Sequence, residues 1–410
     1  LKTIISGVAL AALCLATPAL AQEFESQVPG ESVRDLHDRV LTMDTHVDID
    51  GKYATYELDP GTMTAAQVDL PKMRAGGLDA AFFIVYVGQD EVTEAGYAEA
   101  RAKAEDKYVR IRRMLDAYPD QVELALTADD VERIAATGKR VALIGMENAY
   151  PLGPSVEDLE MWRDRGVRYV SITHMGHNQF GDSSNLRFDL GDEPGQNDGL
   201  TDLGRELVKE ANRLGIMVDI SHVGKQTTMQ AMELSTAPVV ASHSGAKAVS
   251  DNPRNLDDEQ LRALAENGGV AQMVAFDSYV KRPSDARIDA EEAIRAEMGM
   301  ESSADRQAAS EEKRREYYSR INALDAEFPP ATVADVVDHI DHAVEVAGID
   351  HVGISSDFDG GGGVTGWDNA AETPNVTAEL VKRGYSEEEI EKLWGGNLRR
   401  VMRAVEAAAE

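Results

Sequence analysis

Apolar residues gather in short runs along the chain, and the stretches between them carry apolar residues at three- and four-residue spacing. Eight runs stand out, at residues 40–46, 79–87, 141–147, 167–174, 216–222, 238–243, 269–275 and 351–357. Their length and β-branched content predict strands. Helical periodicity fills 97–118, 203–214, 257–267 and 332–347 between them. This alternation predicts parallel βα units. Eight strands of near-continuous apolar character predict an α/β fold of the (β/α)8 TIM type, closed and buried on both faces. A doubly wound open sheet is the main competitor. No G-x-G-x-x-G follows the first strand and no P-loop occurs, which weakens its nucleotide-binding form. Residues 277–330 break the pattern: long and highly charged, they fall between the seventh and eighth strands and end at Pro329-Pro330. They predict a largely helical insertion near the mouth of the barrel or at an oligomer contact, so a homodimer is one expected state.

Six of the eight predicted strands end in a histidine or carboxylate at the C-terminal side. The first strand ends in His46-Val47-Asp48, the third in Glu147, the fourth in His174, the fifth in His222, the sixth in His243 and the eighth in Asp357-Phe358-Asp359. In a barrel these ends converge on the mouth where catalysis is built. Burying so many ionisable groups unpaired would cost several kcal/mol, and metal ions offset that cost. His46 and Asp48, two apart on one strand face, suit a first ion. His222 and His243 suit a second, and Glu147 a position bridging both. Such a donor set fits two zinc ions sharing a water that attacks an amide or ester carbonyl. His37, His339, His342 and His351 fall on helical faces or before a strand, and His177 in a loop, so ordinary structural roles suffice for them.

Charge narrows the partners. A formal net charge of −32, spread over the whole chain, repels phosphate backbones and anionic headgroups, which excludes nucleic acid and membrane surfaces as natural partners. The segment 1–21 reads as a cleavable secretory signal: Lys2, an apolar run from Ile4 to Leu15, then Ala19-Leu20-Ala21. The run is shorter than the ~20 residues a span needs, so no membrane anchor is expected. Cleavage after Ala21 would remove Cys14, the single cysteine, leaving one barrel over 22–410 with histidine and carboxylate as its only strong metal donors. The expected location is periplasmic or secreted.

Several ordered motifs carry a resemblance. They are Asp44-Thr45-His46-Val47-Asp48, Asp69-Leu70-Pro71-Lys72-Met73-Arg74-Ala75-Gly76-Gly77, Gly145-Met146-Glu147, Ser171-Ile172-Thr173-His174, Asp219-Ile220-Ser221-His222, Ser242-His243-Ser244, Pro253-Arg254-Asn255 and Ser356-Asp357-Phe358-Asp359-Gly360. With them the chain resembles the renal or membrane dipeptidase family of the amidohydrolase superfamily over nearly its whole length. The resemblance implies a two-zinc barrel with the same five ligands, His46, Asp48, Glu147, His222 and His243. It also implies a substrate-contacting His174, a carboxylate-binding Arg254 and an acid/base at Asp357, and Asn255, adjacent to Arg254, is expected to bind substrate with it. Val47 and Asn148 depart from residues common in the family, Asn and Gly, which bears on pocket polarity and not on the ligands. The expected activity is hydrolysis of dipeptides with a free C-terminal carboxylate, with D-residues admitted at the second position. A lactonase or amidase of the same superfamily, and a non-catalytic zinc-binding barrel, are the other readings.

Overall fold

The computed structural model describes residues 32–409. The signal segment and Cys14 lie outside them. Nine strands form one parallel sheet: β1 (Met43–Val47), β2 (Ala80–Tyr86), β3 (Val122–Leu124), β4 (Arg140–Glu147), β5 (Val167–Ser171), β6 (Met217–Asp219), β7 (Val240–Ser244), β8 (Val270–Val274) and β9 (Val352–Ser355). Eight of them run β1-β2-β4-β5-β6-β7-β8-β9. The seam is drawn together by a single parallel bridge between Val47 and Phe358, where Asp48 N donates to Phe358 O at 2.9 Å. The result is the expected TIM-type barrel, with strands buried almost throughout because helices cover the outer face.

The helices start and stop where local chemistry dictates. Asp257 and Thr332 form capping boxes with Gln260 and Asp335 at the starts of Asp258–Asn267 and Val333–Ala347. Gly215 and Gly268, in the left-handed region, end Asp202–Leu214 and Asp258–Asn267.

Besides a later start of β1, at Met43, and an earlier end of β9, at Ser355, three differences from the sequence reading bear on the site. The segment 167–174 stops pairing at Ser171 and 216–222 at Asp219. Both ends turn inward: Ser171 Oγ accepts from Asn148 N at 2.7 Å, and Asp219 Oδ1 accepts from the Ser221 and Ser242 amides at 3.0 and 2.9 Å. Side chains thus replace ladder partners, and His174 and His222 sit just beyond the strands. The third difference is β3, which pairs with the first half of β4 before β5 begins its own pairing at Val167. Its three residues, Val-Glu-Leu, are too few to give a period.

The insertion is helical, as expected. Helices Asp285–Met298 and Glu311–Ala323 close around Ile294, Met300 and Tyr317, a small core separate from that of the barrel. Its first turn, Asp277–Val280, brings Tyr279 to the barrel mouth.

Candidate metal centre and substrate cavity

At the C-terminal end of the barrel lies a cavity of about 490 Å³ whose lining includes Asp48, Glu147, His174, His222, His243 and Asp357. Glu147, at the end of β4 and 2% exposed, is its centre. One oxygen, Oε1, lies 3.0 Å from His222 Nε2 and 3.3 Å from His243 Nε2, and those two nitrogens are 2.9 Å apart. The other, Oε2, lies 3.4 Å from His46 Nε2, which is 3.8 Å from Asp48 Oδ2. Ligands at ~2.1 Å from one ion stand roughly 3.0–3.4 Å from each other, so the first triangle has the dimensions of a single metal position. The two oxygens of one carboxylate therefore face two donor sets.

Buried atoms left without hydrogen-bond partners point the same way. His46 Nε2, the atom that faces Glu147, and Asp48 Oδ1 have none. Buried polar groups are rarely orphaned unless something else meets them. Two of the histidines are also fixed in the tautomer a metal needs. Tyr169 Oη donates to Thr45 O at 3.0 Å and so accepts from His46 Nδ1 at 2.9 Å. Ser242 Oγ donates to Asp219 Oδ2 at 2.6 Å and so accepts from His243 Nδ1 at 2.8 Å. In each ring Nδ1 donates away from the cavity, which leaves Nε2 as the nitrogen that faces it. Gly145 makes the first relay possible: a Cβ there would come within 2.2 Å of the Tyr169 ring.

Three overlapping groups of donors have ligand atoms within 4.8 Å of one another: His46–Glu147–His243, Glu147–His174–His222 and His46–Asp48–Asp357. All five predicted ligands are thus brought together, and His174 and Asp357 stand close beside them. His174 Nε2 is 3.8 Å from Glu147 Oε1, and Asp357 Oδ1 is 4.0 Å from His46 Nε2. His222, Asp357 and Asp359 adopt positive φ (68, 57 and 61°), uncommon for such residues and frequent at functional sites. Gly360 packs on the carboxylates, where a Cβ would lie 2.3 Å from Asp357 Oδ1 and 2.4 Å from Asp48 Oδ2.

Electrostatics divide the cluster. Burial pushes Asp357 well above the usual carboxylate range, with Asp48 and Glu147 adding to it. Burial also raises Asp48, to about 6. Burial would raise Glu147 too, but the surrounding histidines hold it well below its ordinary value. Desolvation keeps His222 and His243 neutral and lowers His174 to about 4. His46 alone is raised, to about 10: burial opposes its charge, but Glu147, Asp357 and Asp48 outweigh it. The metal-free protein therefore holds a proton where the carboxylates call for a cation, and cation binding releases it.

Arg254 is 2% exposed; Nη2 donates to His243 O at 2.9 Å, and the guanidinium lies 5.2 Å from the Tyr279 ring centroid. Its Nε has no partner, and Arg254 is not among the residues that line the cavity but lies behind His243 and Tyr279. Asn255 does not line the cavity. Its amide donates to Ser250 O and Tyr279 O, both at 2.8 Å, tying the Arg254 loop to the first turn of the insertion.

The family model for membrane dipeptidases, peptidase family M19, matches residues 30–410. The chain belongs to this family. Dipeptidase tcpJ of Claviceps purpurea is 32% identical over 366 residues, spanning 87% of this chain and 74% of that protein. Dipeptidase aclJ of Aspergillus oryzae is 31% identical over 348 residues, spanning 84% and 71%. The crystal structure of the probable dipeptidase PvdM from Pseudomonas aeruginosa matches with a TM-score of 0.83 at 35% identity, covering 92% of this chain and 98% of that one. A metallo peptidase from Rhodobacter sphaeroides, solved with a phosphinate mimic of the dipeptide L-Ala-D-Ala, matches with a TM-score of 0.70 at 25% identity, covering 89% and 99%.

Within this M19 scaffold several roles have no mark in the sequence, even where the residue itself stands in a motif, as Asp219 and Ser242 do. Tyr169 lies inside β5 as one more apolar strand residue, and its reach to His46 depends on Gly145 of the neighbouring strand. Asp219 acts through Ser242, 23 residues on. Tyr86, Lys107 and Phe276 reach the cavity from segments without motif character. The histidines given structural roles keep them. His37 bonds to Thr377 and Gly76, His339 to Ala246 and Val280, His342 to Asp258, His351 to Gly269, and His177 to Ser183 and Glu193.

Proposed function

We propose that this member of the metal-dependent dipeptidase family hydrolyses dipeptides with a free C-terminal carboxylate, using two zinc ions. The observation that carries the reading is Glu147, whose Oε1 faces His222 and His243 while Oε2 faces His46, with Asp48 beyond it. Those five residues would hold the pair, with Glu147 bridging. Bound there, two divalent ions supply Lewis acidity that polarises a carbonyl and eases ionisation of water near neutral pH.

The protein's own groups do the rest. Asp357, beside the metal positions and with its carboxyl raised by burial, is placed to carry a proton to the leaving nitrogen. His174, kept neutral by burial, is available to donate to the carbonyl oxygen as charge develops. Arg254 offers a preorganised guanidinium fork to the terminal carboxylate. Asn255 serves by positioning Tyr279 and the Arg254 loop. D-residues at the second position belong to the reading, since the Rhodobacter relative carries a mimic of L-Ala-D-Ala.

The test compares Ala-Ala in both stereochemistries at the second position, their C-terminal amides and Ala-Ala-Ala, with zinc-loaded protein. Cleavage of the free dipeptides, with amides and tripeptide failing, is expected; equal turnover of amide and free acid would make this an amidase. We also propose export through the 1–21 segment, so the mature N-terminus should be Gln22 and the protein should fractionate outside the cytoplasm. An intact N-terminus on cytoplasmic protein would refute that. No helix among the described residues is long and apolar enough to cross a membrane.

A further inference from the structure

Two cations flank the cavity on opposite sides of the barrel, Lys107 in its lining and Arg254 behind His243. In the ring of eight strands, β2 is four places from β7 in either direction. Arg254 is tied to the end of β7 through His243 O. Lys107 comes from the helix Glu94–Ala117 to the opposite rim, where its ammonium donates to Ile49 O just after β1 and lies 5.9 Å from the ring centroid of Tyr86, the last residue of β2. Their electrostatic reach separates only in part: Arg254 acts on His174, His222, His243 and Asp357, and Lys107 on Asp48.

Among the residues lining the cavity Lys107 is the only lysine or arginine. An ammonium has three donors, and Ile49 O engages one. A dipeptide with its carboxylate at Arg254 and its peptide bond over Glu147 must extend its first residue toward β1 and β2. There the remaining donors of Lys107 meet it. We infer that Lys107 selects dipeptides whose first residue carries a carboxylate side chain, aspartate or glutamate, an inference that rests on the dipeptidase reading. Asp50 and Asp359 line the same rim, so the α-ammonium of such a substrate also meets opposite charge. A cationic first side chain meets Lys107 with like charge, and an apolar one desolvates the ammonium without replacing its hydrogen bonds.

The experiment measures kcat/KM of the zinc-loaded full chain on Glu-Ala, Ala-Ala and Lys-Ala at low ionic strength. Glu-Ala should exceed Ala-Ala roughly tenfold, the low end of what a hydrogen bond to a charged group supplies, and Lys-Ala should fall below Ala-Ala. Lys107→Gln should bring the Glu-Ala to Ala-Ala ratio close to one, and Lys107→Arg should keep most of it. A wild-type ratio near one overturns the inference, as does a Gln variant that loses rate equally on all three, the signature of a lysine that only pins the Ile49 loop. If the Gln variant does not fold, the wild-type ranking and the Arg variant still decide. Hydrolysis of none of the three at full metal content would sink the dipeptidase reading as well; hydrolysis without ranking would sink this inference alone.

Discussion

Replacing Ser242 by Ala removes one oxygen that does two things. It accepts from His243 Nδ1 at 2.8 Å and donates to Asp219 Oδ2 at 2.6 Å, both fully out of contact with solvent. Without it the His243 ring is free to carry its proton on Nε2, and the ligand loses the basicity lent by the buried carboxylate. Losing such a supporting partner typically costs 10- to 100-fold in metal affinity. That range corresponds to about 1.4–2.7 kcal/mol. The loss should fall at the upper end because the relay terminates in an ionisable group, and Asp219→Asn, which keeps an acceptor, should lose less. On the other side of Glu147, Tyr169→Phe removes the hydroxyl between His46 Nδ1 and the neutral Thr45 carbonyl, so its loss should fall at the lower end. Zinc competition against a chromogenic chelator reads each affinity directly. With excess zinc, kcat on Ala-Ala should recover in Ser242→Ala, because Ser242 orients a ligand and touches no substrate. A folded Ser242→Ala protein with the wild-type chelator curve would refute the relay.

Asp357→Asn should keep its metal and lower kcat by roughly 100-fold or more. A metal-replete variant with wild-type kcat would move the proton carrier elsewhere, first to Asp359. Arg254→Met on a free dipeptide should cost ~2–5 kcal/mol, or roughly 30- to 4,000-fold in kcat/KM, with little further loss on the dipeptide amide. The four values form a double-mutant cycle, and additive losses would remove the carboxylate from Arg254. His37 supplies a pH dependence remote from the metal centre. Burial lowers it from 6.5 to about 4, with Nε2 donating to Gly76 O and Nδ1 accepting from Thr377. The unfolded chain then binds a proton below pH 6.5 that the folded chain refuses, so this contribution is complete above 6.5 and is lost as pH falls towards 4, by up to about 1.4 kcal/mol per unit. Denaturant melts from pH 7 to 4 should give a flatter dependence in His37→Gln; parallel curves would exclude His37 as the source.

Eight of the nine strands, and the cluster of ionisable residues at the barrel mouth, were legible because each left a local mark. A barrel strand buried on both faces is a short apolar run, and an ionisable residue ending it stands out. Boundaries were less legible. The early ends of β5 and β6 depend on Asn148 and Ser242 supplying hydrogen bonds from neighbouring strands, which no window around residue 171 or 219 contains. The same limit hid Tyr169 and Asp219, whose roles exist only across strand neighbours. Asn255 illustrates the converse. Adjacency to Arg254 suggested substrate contact, but its amide is spent on two backbone carbonyls that hold the loop.

The central claim is that one carboxylate, Glu147, bridges two metal positions that work together. Its most direct test is a zinc titration of the metal-free enzyme, following Ala-Ala hydrolysis and bound metal in the same samples. Activity should saturate only as binding approaches two ions per chain, and Glu147→Gln should weaken both binding steps. Full activity at one ion per chain, or a Glu147→Gln protein that loses a single ion and binds the other normally, would contradict the bridged centre.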